Sequence, residues 1–117
     1  MDNQEMIRVA VGAMADKKAV NIKVLHLEKL SDVADYFILC NGTSVTQIKA
    51  IADEVEVKLK EAGADLSHRE GYSSGSWILL DYTSVIVHVF HPTARDFYNL
   101  EKLWADAEEL DLSKYLQ

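Results

Sequence analysis

Few side chains in this sequence are equipped for chemistry, and their spacing limits what they can do. The histidines are His26, His68, His88 and His91, and the only thiol is Cys40. No pair of histidines shows the spacing of a zinc motif, and no second cysteine can complete a thiolate set. A nucleophilic thiol needs exposure beside a base. Cys40 instead ends the apolar run Tyr36-Phe37-Ile38-Leu39-Cys40, where an inert buried thiol is expected.

The triplet Gly42-Thr43-Ser44 follows that run and precedes a helical pattern. A strand-to-helix turn of this kind can seat a phosphate on backbone N–H groups. It also resembles the Gly-Ser signature of nucleotidyltransferases, which need paired carboxylates on a neighbouring strand to hold magnesium beside a triphosphate. Asp81 is the one candidate acid. Its same-face neighbours are Leu79 and Thr83, so its partner is missing. Ser44 is better explained as a helix cap, with Gln47 closing a capping box.

The elements that would position these groups follow from periodicity. Met6, Val9, Ala10, Ala13 and Met14 share one face of a helix from about Asn3 to Ala15, which Asp2 and Glu5 open. Val20, Ile22 and Val24 alternate as in a half-buried strand. Tyr36 to Cys40 suits a central strand buried on both faces. Ile48, Ile51, Ala52, Val55, Leu59 and Ala62 give the clearest helix, with Gly63 as its stop and Glu54–Lys58 and Glu56–Lys60 pairs outside. A short strand is expected within Leu66 to Glu70, then a loop, then a hairpin of Ser76 to Leu80 and Val85 to Phe90. Pro92 ends that ladder. Thr93 and Asp96 can cap a last helix with Phe97, Leu100, Trp104 and Ala107 inward. The order α-β-β-α-β-β-β-α indicates an α/β fold, with a mixed β-sheet and helices mainly on one face.

Side chains of the hairpin alternate between two faces. A two- or four-residue connection around Tyr82-Thr83 sets Trp77 opposite His88 and Leu79 opposite Ile86. One face then holds Ile78, Leu80, Val85, Val87 and Val89 and should meet the helices. The other holds Trp77, Leu79, Ile86, His88 and Phe90, with Asp81 at its edge. If open, that second face is an interaction surface with a tryptophan hot spot. If a third layer covers it, Trp77 and His88 are core. Arg95 and Tyr98, on the less apolar side of the last helix, either meet a partner or, for Arg95, pair with Asp96 or Glu70.

With 117 residues, one domain over 1–117 is expected, its body ending near Trp104 and an acidic tail following from about Asp106. The tail's Leu110, Leu112, Tyr115 and Leu116 leave its order open. No apolar run approaches the roughly 20 residues of a membrane span, and no basic region precedes an apolar stretch as in a secretory leader. A single cysteine fits a reducing cytoplasm. Twelve Lys and Arg against nineteen Asp and Glu leave a net charge of −7. Free nucleic acid is therefore a poor partner, and a basic protein surface a good one.

Blocks spread along almost the whole chain resemble one known family, the ribosomal silencing factor (RsfS, Iojap-related) family. They are Asp16-Lys17-Lys18-Ala19, Ala34-Asp35-Tyr36-Phe37, Gly42-Thr43-Ser44, Glu70-Gly71, Trp77 with Leu80-Asp81-Tyr82, Val87-His88-Val89-Phe90, and Arg95 with Phe97 through Trp104. Asn21 and His26 stand where the family often has Asp, and Thr93 where Glu is common. The resemblance implies a nucleotidyltransferase-like fold without catalytic carboxylates, no enzymatic activity, no cofactor and no metal, and a cytoplasmic homodimer. It implies binding to protein fourteen of the large ribosomal subunit, which blocks joining of the small subunit and represses translation when nutrients are scarce. The contact candidates carried over are Trp77, Asp81, Tyr82, His88, Arg95 and Tyr98. The alternative is a nucleotide-binding or nucleotidyltransferase-like enzyme built on Gly42-Thr43-Ser44.

Overall fold

The structure is a computed structural model that describes residues 1–27, 30 and 32–116. Its elements in chain order are α1 (Asn3–Asp16), β1 (Val20–His26), β2 (Tyr36–Asn41), α2 (Val45–Glu61), β3 (His68–Glu70), β4 (Trp77–Asp81), β5 (Val85–Phe90), α3 (Pro92–Tyr98), α4 (Leu100–Leu103) and β6 (Glu108–Glu109), with a 3₁₀ turn at Leu112–Lys114. The six strands form one mixed sheet in the order β3-β4-β5-β2-β1-β6. Only the central pair, β2 with β5, runs parallel.

Both long helices start as the sequence indicates. The Asp2 carboxylate accepts from the Glu5 N–H at 2.8 Å, and the Ser44 hydroxyl accepts from the Gln47 N–H at 3.1 Å. Gly63, at φ +101°, follows the end of α2 in the conformation that glycine adopts most easily. The outer ion pairs of α2 differ from those expected. Lys58 meets Glu61, and Glu56 meets Arg69 of β3.

Helices α1 and α2 cover one sheet face. Ile7, Met14, Ile48, Ile51, Val55 and Leu59 pack there against Val24, Ile38, Cys40, Ile78, Leu80, Val87 and Val89. The opposite face carries Leu25, Leu27, Phe37, Leu39, Ile86 and Phe90, and the short α3–α4 segment lies over part of it. Strand β2 is thus buried on both sides, as its unbroken apolar run requires.

Two expectations are corrected and one left open is resolved. The hairpin keeps its predicted faces, but its partners shift by two residues. Trp77 pairs with Phe90, Leu79 with His88 and Asp81 with Ile86. The turn is centred on Thr83-Ser84, closed by the Tyr82 N–H bonding the Val85 carbonyl at 2.9 Å. Moving a turn by one residue moves each cross-strand partner by two, which preserves alternation. Second, the last helix is broken. Asn99 takes a left-handed φ of +47°, and its side chain caps α4 by accepting from the Lys102 N–H. His91, not Thr93, caps α3, accepting from the Thr93 N–H at 3.2 Å. The break turns Phe97 outward, whereas Leu100, Trp104 and Ala107 pack inward.

The acidic segment behind Trp104, whose order the sequence leaves open, is docked. Glu108 and Glu109 pair with His26 and Leu25 as an edge strand. Tyr115 is buried against the α1 side of the core and donates its hydroxyl to Gln4 Oε1 at 2.7 Å. Gln117 lies outside the described residues. Truncating a buried aromatic typically costs about 3–5 kcal/mol, so Tyr115→Ala should lower the urea midpoint of unfolding markedly. Tyr115→Phe, which loses one hydrogen bond, should cost only about 1 kcal/mol. Wild-type stability in the alanine variant would mean that the segment does not dock.

Candidate functional site

The face of the sheet opposite the long helices is built around an aromatic series. The Trp77 indole N–H donates to His88 Nδ1 at 3.0 Å. The indole stacks on Phe90 at 5.1 Å between centroids and meets Tyr98 at 4.7 Å, and Tyr98 meets Phe97 edge-on at 5.1 Å. Beneath, Phe37 touches His88 edge-on at 4.6 Å and Trp104 at 6.1 Å. Gly71 helps to seat the strand that carries Trp77. A Cβ there would lie 2.0 Å from the Trp77 carbonyl oxygen, so the backbones can approach only with glycine.

The series grades from core to surface. His88 is 2% exposed and Trp77 half-buried, whereas Tyr98 is 53%, Leu103 71% and Phe97 79% exposed. The expectation that this sheet face lies open is therefore corrected: Ile86, His88 and Phe90 are buried, Trp77 and Leu79 are half-buried, and the exposed groups belong to the α3–α4 cover. His88 and Phe90 are core under α3, and Trp77 forms the border. Phe97 and Tyr98, in contact with each other, make an apolar outer patch of the kind that marks an interaction surface, and Leu103 is exposed as well. Phe97 and Leu103 were not legible as surface groups because a continuous helix would bury Phe97. The asparagine at position 99 was the available signal, since Asn is enriched in left-handed conformations.

The remaining contact candidates fall in different places. Tyr82 is buried on the α2 side, where it lines a cleft of about 330 Å³ with Glu56, Lys60, Ala64, Asp65 and Leu66. Burial, and then Glu56, push its hydroxyl up to about 12. Asp81 is half-buried; it accepts the Thr83 N–H at 2.7 Å and lies 3.5 Å from His68. Arg95 is 6% exposed, which corrects its placement on an outer helix side. Its Nε donates to Glu101 Oε1 at 2.9 Å, and its Nη1 donates to Asn41 Oδ1 at 3.0 Å and to the Asn21 carbonyl. It pairs with neither Asp96 nor Glu70. The Arg95 hydrogen bond, aided by Lys23 at 3.0 Å, holds the Glu101 carboxyl below its ordinary range.

The turn after β2 is occupied by its own chain. The Thr43 N–H donates to Gln47 Oε1 at 2.6 Å, and the Gly42 N–H to the Phe90 carbonyl. The Gln47 amide in turn donates to the carbonyls of Lys17 and Lys18. Two of the backbone donors that a phosphate at this turn could use are thus already bonded within the chain. Among the described residues no group of three His, Cys, Asp or Glu is placed to hold a metal ion. Cys40 is fully buried and its thiol is pushed up to about 12 by desolvation, which suppresses the thiolate.

His88 gives this site a pH signature. Its Nδ1 accepts the indole proton, so the neutral ring carries its own proton on Nε2, which is buried without a hydrogen-bond partner among the described residues. Burial alone pushes the ring down from 6.5 to about 3. Between those values the unfolded chain binds a proton that the folded chain refuses. Stability should therefore fall as pH drops below about 6.5, by up to ~1.4 kcal/mol per unit. Depressed carboxylates such as Glu101 add their own loss only at lower pH. Denaturant unfolding between about pH 5 and 6.5 should show the slope in the wild type and lose much of it in His88→Phe. An unchanged slope would place the titration elsewhere.

Comparison with known proteins fits this architecture. Residues 1–117 match the family described as "Ribosomal silencing factor during starvation". The ribosomal silencing factor RsfS of Halalkalibacterium halodurans is 44% identical over 112 residues, covering 96% of both chains. That of Bacillus subtilis is 43% identical, covering 96% of this chain and 95% of its own. The chloroplastic protein Iojap of Zea mays is 32% identical, covering 95% of this chain but 50% of its own. A crystal structure of a Chromobacterium violaceum protein superposes with a TM-score of 0.87 at 43% identity, covering 90% of this chain and 88% of that one. With its whole length matched and its mixed sheet shared with a solved relative, the chain belongs to the ribosomal silencing factor (RsfS) family, whose role lies in the regulation of translation.

Proposed function

We propose that the chain binds the large ribosomal subunit through its protein fourteen and so sterically blocks joining of the small subunit, repressing translation when nutrients are limiting. On this reading it acts as a non-catalytic cytoplasmic factor and as a homodimer. The observation that carries the reading is the outer aromatic patch, in which Phe97 and Tyr98 extend the buried Trp77 series into solvent. Aromatic anchors beside a rigid core are the usual centre of a binding hot spot. The net charge of −7 suits a basic ribosomal protein and opposes rRNA.

The candidate contacts divide by exposure. Trp77, Tyr98 and Phe97 supply area that a partner can cover, and Asp81 supplies a half-buried carboxylate at the end of β4. His88 and Arg95 act from beneath by holding that surface in shape, whereas Tyr82 lies on the α2 side of the sheet. We also read the β2, Gly42-Thr43-Ser44 and α2 unit as a nucleotidyltransferase-like frame that lacks the paired acids catalysis would need.

Purified large and small subunits mixed with excess protein should show a reduced fraction of joined ribosomes on sucrose gradients. An unchanged fraction would defeat the proposal. Phe97→Ala should weaken large-subunit binding by about 2 kcal/mol or more, while stability changes by less than about 0.5 kcal/mol. Trp77→Ala should lose binding and stability together, because it strands the buried His88 Nδ1. Full binding by Phe97→Ala would remove the patch from the interface.

A further inference from the structure

Beside the aromatic patch lies a second cavity that the silencing reading does not use. It measures about 350 Å³ and is lined by Asn21, Lys23, Asn41, Arg95, Asp96, Asn99 and Glu101. Its floor holds two buried polar side chains, Arg95 and Asn41. Arg95 spends Nε and Nη1 on Glu101, Asn41 and the Asn21 carbonyl, and its Nη2 bonds no described residue. The Asn41 Oδ1 accepts from Arg95, and its Nδ2 likewise bonds no described residue. Neither nitrogen is sealed from solvent, and both side chains line the cavity.

The charges favour an anion at that point. Lys23 and Arg95 grip the two oxygens of Glu101, leaving the floor one positive charge in excess. Asp96 is exposed, so solvent screens it. Backbone strain gathers at the same place. Among the described residues four non-glycine residues have positive φ, and two of them, Asn21 at +52° and Asn99 at +47°, line this cavity. The irregular register of β1 between Val20 and Lys23 turns the Asn21 carbonyl toward Arg95. Strained residues persist where surrounding contacts hold them, and they cluster at ligand-binding sites.

We propose that this cavity binds a small oxyanion, a carboxylate or a phosphate monoester, whose oxygen accepts from Arg95 Nη2 and Asn41 Nδ2 beside the one positive charge that Lys23 and Arg95 hold in excess of Glu101. Charge-assisted bonds of this kind are the strong ones. The site stands independently of ribosome binding, since it needs no partner protein.

The test is side-chain ¹H–¹⁵N NMR of the full chain, titrated separately with inorganic phosphate and with acetate at a constant ionic strength of about 0.15 M. The Arg95 guanidinium and Asn41 amide resonances should shift together and saturate. Saturation by phosphate alone assigns a phosphate monoester, and by acetate alone a carboxylate. Asn41→Asp keeps an acceptor for Arg95 but replaces the donor with a carboxylate, and should weaken saturation at least about tenfold. Absence of saturation with both anions in the wild type would overturn the proposal, and that titration stands alone if the variant does not fold. Equal saturation in a folded Asn41→Asp would also overturn it, by placing the anion elsewhere.

Discussion

The guanidinium of Arg95 is a charge held inside a small protein, and the outer face of the sheet is arranged around satisfying it. A buried cation is tolerated only when paired and hydrogen-bonded. Its acceptors come from three separate pieces of chain: the Asn21 carbonyl on β1, Asn41 at the end of β2, and Glu101 on α4. To bring Glu101 back to Arg95 the helix must break, and it does so at Asn99. The break fixes which side chains turn in and which turn out. Leu100 and Trp104 go to the sheet; Phe97 and Tyr98 go to solvent. One internal ion pair thus shapes a surface several residues away.

Much of this fold was legible in the residues. Asp2–Glu5 and Ser44–Gln47 are local hydrogen-bond patterns, and local patterns survive any tertiary arrangement. The apolar run of β2 and the alternation of β4 and β5 report burial directly. What escaped needed long-range information. The turn at Thr83-Ser84 places a β-branched residue at φ +75°, where a hairpin usually has glycine or asparagine, so its position carried no signal. The docking of Tyr115 depends on Gln4, more than a hundred residues away in sequence. For the site, Trp77, His88 and Tyr98 were picked out together, and the structure places them in one ring series. Arg95 was selected with them but misplaced, because its partner Glu101 is reached only through the break at Asn99.

The two faces of the sheet therefore do different work. The aliphatic face under α1 and α2 is sealed and supplies stability through apolar burial. The aromatic face is only half sealed, and its cover is short: seven residues of α3 and four of α4. Helices this short do not hold themselves together in water. They depend on packing beneath them, on Trp77, Phe90 and Trp104, and on the Arg95 cluster. A surface so held is rigid at its base and apolar at its rim, which limits the ordering cost of binding a partner.

The most direct test of the central claim is site-specific photocrosslinking with a benzophenone amino acid at position 97, and at position 66 on the opposite side as control. Incubated with purified large subunits, the chain carrying the probe at position 97 should crosslink to one basic ribosomal protein, and the control should not. Equal crosslinking from both positions, or none from position 97 under conditions where the chain co-sediments with the subunit, would contradict the claim that the aromatic patch is the docking surface.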